Sequence, residues 1–128
     1  MIGKHLLADF YGVSPERLDA PAVLSDCLRD GARRCGMTPV AEPVLHHFDG
    51  GGLTGFLLLA ESHIAFHTFP ERGYIAIDIF SCGRSDPRVA LDVFREALCP
   101  GRERVTVSPR GEQAGHAGDA AAAKEACR

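Results

Sequence analysis

Three short apolar runs, LTGFLLLA at 53–60, HIAFHTF at 63–69 and YIAIDIFS at 74–81, follow one another with only Glu61-Ser62 and the stretch Pro70 to Gly73 between them. Runs this short, bounded by turn residues, are three successive strands. The flanks add helices. Lys4 to Tyr11 is a further strand; Ser14-Pro15, a capping hydroxyl before proline, opens a helix in which Leu24, Leu28, Ala32 and Cys35 recur at helical spacing until Gly36. Residues 39–48 form the next strand and DGGG a loop. Asp86-Pro87 opens a second helix, with Val89, Val93, Phe94 and Leu98 on one side, closed by Pro100-Gly101, and ERVTVS is the last strand. The order β-α-β-β-β-β-α-β specifies an α+β fold, a two-layer sandwich with helices on one face of a mostly antiparallel sheet.

A chain of 128 residues suits one domain, here 1–108. From Pro109 the sequence turns to Gly, Ala and charged residues without large apolar side chains, so 109–128 reads as a disordered tail. A net charge of −3 without runs of like charge gives no footprint for nucleic acid. No apolar segment is long enough to span a bilayer and the N-terminus lacks a signal pattern, which leaves the cytoplasm as the expected compartment. Five cysteines at irregular spacing, with no C-x-x-C pair, read as free thiols and not as a disulfide framework or zinc site.

The segment ESHIAFHTFPERGYIAIDIFSCG, residues 61–83, concentrates reactive side chains on strands. On a helix His63 and His67 would share a face and invite a metal; on a strand they line one face with Ala65 and Phe69, and no third ligand stands at a suitable spacing, so no metal is expected. Ser62 lies in no G-x-S-x-G elbow. A serine hydroxyl can attack the carbonyl of the preceding residue, here Glu61, and turn the amide into an ester, provided that the backbone is strained or pre-oriented and the oxyanion is stabilised. Elimination of the ester and hydrolysis of the resulting dehydroalanine leave a pyruvoyl group and two chains.

The run E-S-H-x-x-x-H-T-F-P-E-x-G-Y-x-x-x-D-x-F-x-C-G, with GKHLLADFYGV before it at the N-terminus and HHFDGGGLTG just upstream, resembles the small prokaryotic S-adenosylmethionine decarboxylases, self-processing enzymes of polyamine synthesis. The resemblance reaches about residue 108. It implies cleavage between Glu61 and Ser62, with Ser62 the precursor of a self-generated pyruvoyl cofactor that condenses with the substrate amine and acts as an electron sink, as pyridoxal phosphate does. It makes His67 the residue assisting processing, Thr54 the supporting hydroxyl in place of the more usual serine, and Cys82 the proton donor in turnover. Phe48 and Phe69 match stacking aromatics for the adenine and the sulfonium, and Glu71 the carboxylate that binds the ribose hydroxyls. A homodimer of cleaved protomers is implied, in line with a sheet whose second face needs a cover.

Taken singly, Phe48 and Phe69 also fit a core, Cys82 a small buried hydrophobe, Glu71 and Asp49 solvated turns, and His5, His46 and His47 structural positions. Two other readings stay open on sequence: a pyruvoyl-dependent ornithine or arginine decarboxylase, and an uncleaved binding homologue without activity.

Overall fold

The computed structural model describes residues 2–111. The chain runs β1 (Gly3–Tyr11), α1 (Pro15–Leu18), α2 (Pro21–Arg34), β2 (Val44–His47), β3 (Leu53–Leu59), β4 (Ser62–Phe69), β5 (Tyr74–Cys82), α3 (Pro87–Leu98) and β6 (Arg102–Arg110), with one 3-10 turn at Pro70–Arg72. The strands form one six-stranded sheet in the order β2-β3-β4-β5-β1-β6, antiparallel throughout, and β1 enters between β5 and β6. The α+β architecture is the expected one.

Period-two patterning decides which side is covered. Leu6, Ala8 and Phe10 of β1, Leu53 and Leu57 of β3, Ile64 and Phe66 of β4 and Ile75, Ile77 and Ile79 of β5 all point to one face and are buried under α2 and α3. Gly55 belongs to the same face because Phe66 lies across it: a Cβ there would stand 2.3 Å from the ring. Phe66 meets Phe94 of α3 edge-on at 6.4 Å, joining the layers. Gly31 of α2 faces Ala90 of α3, and a Cβ there would meet the Ala90 Cβ at 3.4 Å.

The structure departs from the sequence reading at four places. The helix expected from Pro15 is two helices, because Pro21 forces Ala20 into an extended conformation (φ −114°, ψ 91°) and Pro21 then starts α2. Strand β2 covers only Val44–His47, since Pro39 and Pro43 cannot donate to a ladder; Pro39 makes an isolated bridge to Leu59. In α3 the inward positions include Ala90 and Leu91, while Val89 is only half-buried. Strand β6 continues past 108 through Pro109, tolerated on an edge strand, so Pro109 and Arg110 pair with Lys4 and Gly3 instead of belonging to a tail. Residues 112–128 of the expected tail lie outside the described residues.

Among the described residues no helix covers the second face of the sheet. It carries His5, Leu7, Asp9 and Tyr11 of β1, Asp78 and Phe80 of β5, His63, Ala65, His67 and Phe69 of β4 and Thr54, Phe56 and Leu58 of β3. Leu7 is 52% exposed and Leu58 47%. Among the described residues no helix is long and apolar enough to cross a membrane.

Candidate active site

Glu61 and Ser62 stand where β3 turns into β4, a connection of Ala60 and Glu61 alone. Such a turn needs a residue with positive φ, normally glycine, yet Glu61 holds φ 65°. An L-residue in that region costs about 1–2 kcal/mol, so the bond that follows Glu61 is held in a strained setting. Ser62 is only 8% exposed. Its Oγ accepts a hydrogen bond from the backbone N–H of Cys82 at 3.2 Å, which fixes the hydroxyl beside its own peptide bond. The Cys82 thiol donates to the Glu61 carbonyl oxygen at 2.6 Å. Register produces this meeting: β4 pairs with β5 with His63 opposite Phe80, which brings Glu61 and Ser62 to the end of β5 where Cys82 stands. A cleft of 250 Å³ opens here, walled by Met37 and Thr38 on one side and Cys82 and Gly83 on the other.

The remaining expected residues gather at the opposite end of β4. Thr54 pairs with His67, and Thr54 Oγ1 lies 2.9 Å from His67 Nδ1. Phe48, Phe69 and Glu71 line a 370 Å³ cavity with these two and with Gly51 and Gly52. Phe48 and Phe69 are 50% and 40% exposed, so they are not core. The loop before β3 is pinned by Asp19, whose Oδ1 accepts from the Gly52 N–H at 3.3 Å and pairs with His47 at 2.7 Å. Asp49 is exposed in this turn, and His46 packs its ring edge-on against Phe48 at 4.6 Å. His67 lies five positions along the strand from Ser62, about 16 Å at ~3.3 Å per residue, and their side chains leave opposite faces of the sheet. Within one chain, therefore, His67 does not reach the bond that the sequence reading assigned to it.

A third cluster was not legible in the sequence. His63 lies on the open face with His5 from β1 and Asp78 from β5, their donor atoms all within 4.8 Å of one another. Neighbouring strands thus supply the companions that spacing along the chain did not offer. Asp78 is bound to His5 Nε2, and Arg110 stands 2.9 Å from His5 Nδ1. A guanidinium can only donate, so Nδ1 is the acceptor and the His5 proton sits on Nε2, aimed at Asp78. The His5 nitrogen that would face an ion is a hydrogen-bond donor satisfied by Asp78, and His63 stands beside the pair at 3.6 Å from the Asp78 carboxylate. No spacing in the sequence signals it; the register sets His5 opposite Phe80 and Phe80 opposite His63.

Elsewhere, burial pushes the Cys27 thiol up to about 12, and Cys35, which donates to the Asp86 carbonyl, is raised for the same reason. A hydrogen bond to Asp9 lifts Tyr74 to about 12. The free thiols among the described residues are Cys27, Cys35, Cys82 and Cys99.

A family model described as S-adenosylmethionine decarboxylase matches residues 4–111. The chain is 43% identical over 99 residues to the S-adenosylmethionine decarboxylase proenzyme of Parasynechococcus marenigrum (strain WH8102), covering 77% of each chain. It is 38% identical over 111 residues to that of Methanococcus aeolicus, covering 86% of this chain and 94% of that one. The crystal structure of the adenosylmethionine decarboxylase from Aquifex aeolicus VF5 superposes with a TM-score of 0.81 at 32% identity, over 91% of this chain and 96% of the other. A Trypanosoma brucei AdoMetDC-delta26 monomer shares the fold, with a TM-score of 0.59 at 15% identity over 81% of this chain and 45% of that one.

Proposed function

Because this chain belongs to the S-adenosylmethionine decarboxylase family, we propose that it cleaves itself between Glu61 and Ser62 and then works as a carboxy-lyase on S-adenosylmethionine. The product is the decarboxylated sulfonium, an aminopropyl donor for polyamine synthesis. The observation that carries the proposal is the Glu61–Ser62 turn itself: a strained non-glycine residue, a buried serine hydroxyl at the adjoining bond, and a thiol on the carbonyl to be attacked. The same turn speaks against an uncleaved binding homologue, for which that strain would serve nothing. The relatives' shared name favours S-adenosylmethionine over ornithine or arginine.

In the cleavage, Ser62 Oγ adds to the Glu61 carbonyl carbon, the hydroxyl proton passes to the Ser62 nitrogen, and the C–N bond breaks to leave an ester. The Cys82 thiol, already on the Glu61 oxygen, stabilises the negative charge that develops there. Removal of the Ser62 α-proton expels the Glu61 carboxylate and leaves dehydroalanine at position 62. One water replaces its nitrogen, one ammonia departs, and the chain becomes 1–61 and 62–128. The pyruvoyl group so formed supplies an electron sink conjugated to an amide carbonyl. Cys82 lies beside it on the next strand and returns a proton to the substrate α-carbon after carbon dioxide leaves.

His67 acts on the partner chain's Ser62 from the side away from its buried hydroxyl, where the α-proton is removed. Two copies stacked open face to open face about a two-fold axis bring the Ser62 end of one sheet over the His67 end of the other, and isologous contact then makes two identical composite sites. Glu61, Ser62 and Cys82 come from one protomer; Thr54, His67, Phe48, Phe69 and Glu71 come from the second. Thr54 orients the imidazole through Nδ1 and leaves Nε2 for proton transfer. Phe48 and Phe69 offer ring faces to adenine and sulfonium, and Glu71 binds the ribose hydroxyls. The exposed Leu7, Phe56 and Leu58 give the pairing its apolar surface. Free thiols and the lack of a spanning helix among the described residues fit a reducing cytoplasm.

Co-expressing Ser62→Ala and His67→Ala chains tests the arrangement. Neither chain alone should cleave or release carbon dioxide from S-adenosylmethionine, whereas in the mixture the His67→Ala chain should be cut and activity should appear. An uncut His67→Ala chain in a confirmed mixed dimer would rule out the composite site. Ornithine and arginine serve as the contrasting substrates.

A further inference from the structure

We propose that His63 is a positioning residue that holds the start of β4, and with it the carbonyl group formed at position 62, once the bond to Glu61 has been broken; this rests on the self-cleavage reading above. Before cleavage, position 62 is fixed by its peptide bond to Glu61, by pairing with Leu59 and by the hydrogen bond from the Cys82 N–H to Ser62 Oγ. Cleavage removes the first. Conversion of the serine removes its nitrogen and its hydroxyl, and so the third as well. The first intact side chain behind the new end is that of His63.

That side chain is held as few open-face residues are. Its ring lies between Phe56 of β3 and Phe80 of β5, stacked at 5.7 Å and 19° from one and 6.1 Å and 17° from the other. Its Nε2 stands 3.6 Å from Asp78 Oδ1, which His5 binds in turn, with Arg110 behind His5. The bonded chain of Arg110, His5 and Asp78 crosses β6, β1 and β5 and abuts His63 on β4, one residue from the cleavage point. At 3.6 Å the Asp78 contact is too long for a hydrogen bond, so the stack does most of the holding and the carboxylate sets the ring's orientation. Decarboxylation needs the carbonyl within about 0.5 Å of its working position, and a displacement of about 1 Å costs roughly a hundredfold in rate.

The test uses the full chain with His63→Ala, His63→Phe and His63→Gln. Each is followed by intact mass for cleavage, by phenylhydrazine for the carbonyl, and by kcat and KM for S-adenosylmethionine. The Ala variant should cleave and titrate with phenylhydrazine like the unaltered protein, keep KM within about threefold, and lose about ten- to a hundredfold in kcat. The Phe variant, which keeps the stack, should return to within about fivefold of the unaltered kcat. Unchanged kcat in the Ala variant, a loss confined to KM, or no recovery with Phe overturns the assignment. Should His63→Ala fail to cleave, Phe against Gln decides: a tenfold faster Phe variant supports the clamp, and equal rates overturn it. If the unaltered protein has no titratable carbonyl, the self-cleavage reading fails and takes this one with it.

Discussion

Replacing Cys82 with alanine is expected to slow self-cleavage about a hundredfold while leaving the fold intact. The thiol is the hydrogen-bond donor on the Glu61 carbonyl oxygen, where negative charge develops as Ser62 attacks. Removing one preorganised donor from such an oxygen costs about 10²–10³ in rate; a thiol is a weak donor, which puts the loss at the low end, close to 2.7 kcal/mol. The backbone N–H that fixes Ser62 Oγ is untouched by the substitution, so the nucleophile keeps its place. Cys82→Ser separates the two roles given to this residue. A hydroxyl can hold the carbonyl, so cleavage should recover to within about tenfold of the unaltered rate. As an acid it is far weaker than a thiol, so turnover should stay low. The assay is the fraction of full-length chain against time after refolding, with carbon dioxide release measured on the cleaved material. Cleavage of Cys82→Ala at the unaltered rate would refute the oxyanion argument, and normal turnover by Cys82→Ser would refute proton donation.

Thr54→Ala removes the hydroxyl that fixes His67 and should slow cleavage about tenfold or more, whereas Thr54→Ser, lacking the methyl that restricts rotation, should speed it; gel time courses of the two variants check both. Gly55→Ala drives a methyl into the Phe66 ring and should cost about 1–3 kcal/mol in denaturant unfolding. Iodoacetamide at pH 8 should label exposed Cys99 and spare Cys27, whose burial raises it to about 12; mapping of labelled peptides reads this directly. The Asp9 bond raises Tyr74 from 10 to about 12 in the folded chain, so its stabilisation is complete below pH 10 and disappears as pH rises through 12. Tyr74→Phe should accordingly be less stable than the unaltered protein at pH 8, with the two denaturation midpoints converging toward pH 12.

Local chemistry was readable from the chain where it acts within a few residues. Short apolar runs in 53–81 and the Pro and Gly breaks placed β3, β4 and β5 almost to the residue, and Asp86 caps α3 by accepting from the Arg88 N–H. The break at Pro21 and the shortening of β2 follow from prolines that were visible but whose effect depends on competing helix and ladder contacts. Ser62 and Cys82 were paired by resemblance, and their physical link, two contacts across the β4–β5 edge, needed the register. His67 was assigned to processing by resemblance alone, and only the strand geometry shows that it stands at the far end of β4 from the Ser62 of its own chain. His5, Asp78 and Arg110 come from three separate strands, and no spacing in the sequence announces that they converge on His63.

Intact mass of the freshly purified protein addresses the Glu61–Ser62 bond most directly. Two fragments are predicted, 1–61 with an ordinary carboxyl terminus and 62–128 lighter than its sequence by one ammonia. A single full-length mass that persists through long incubation would contradict self-cleavage.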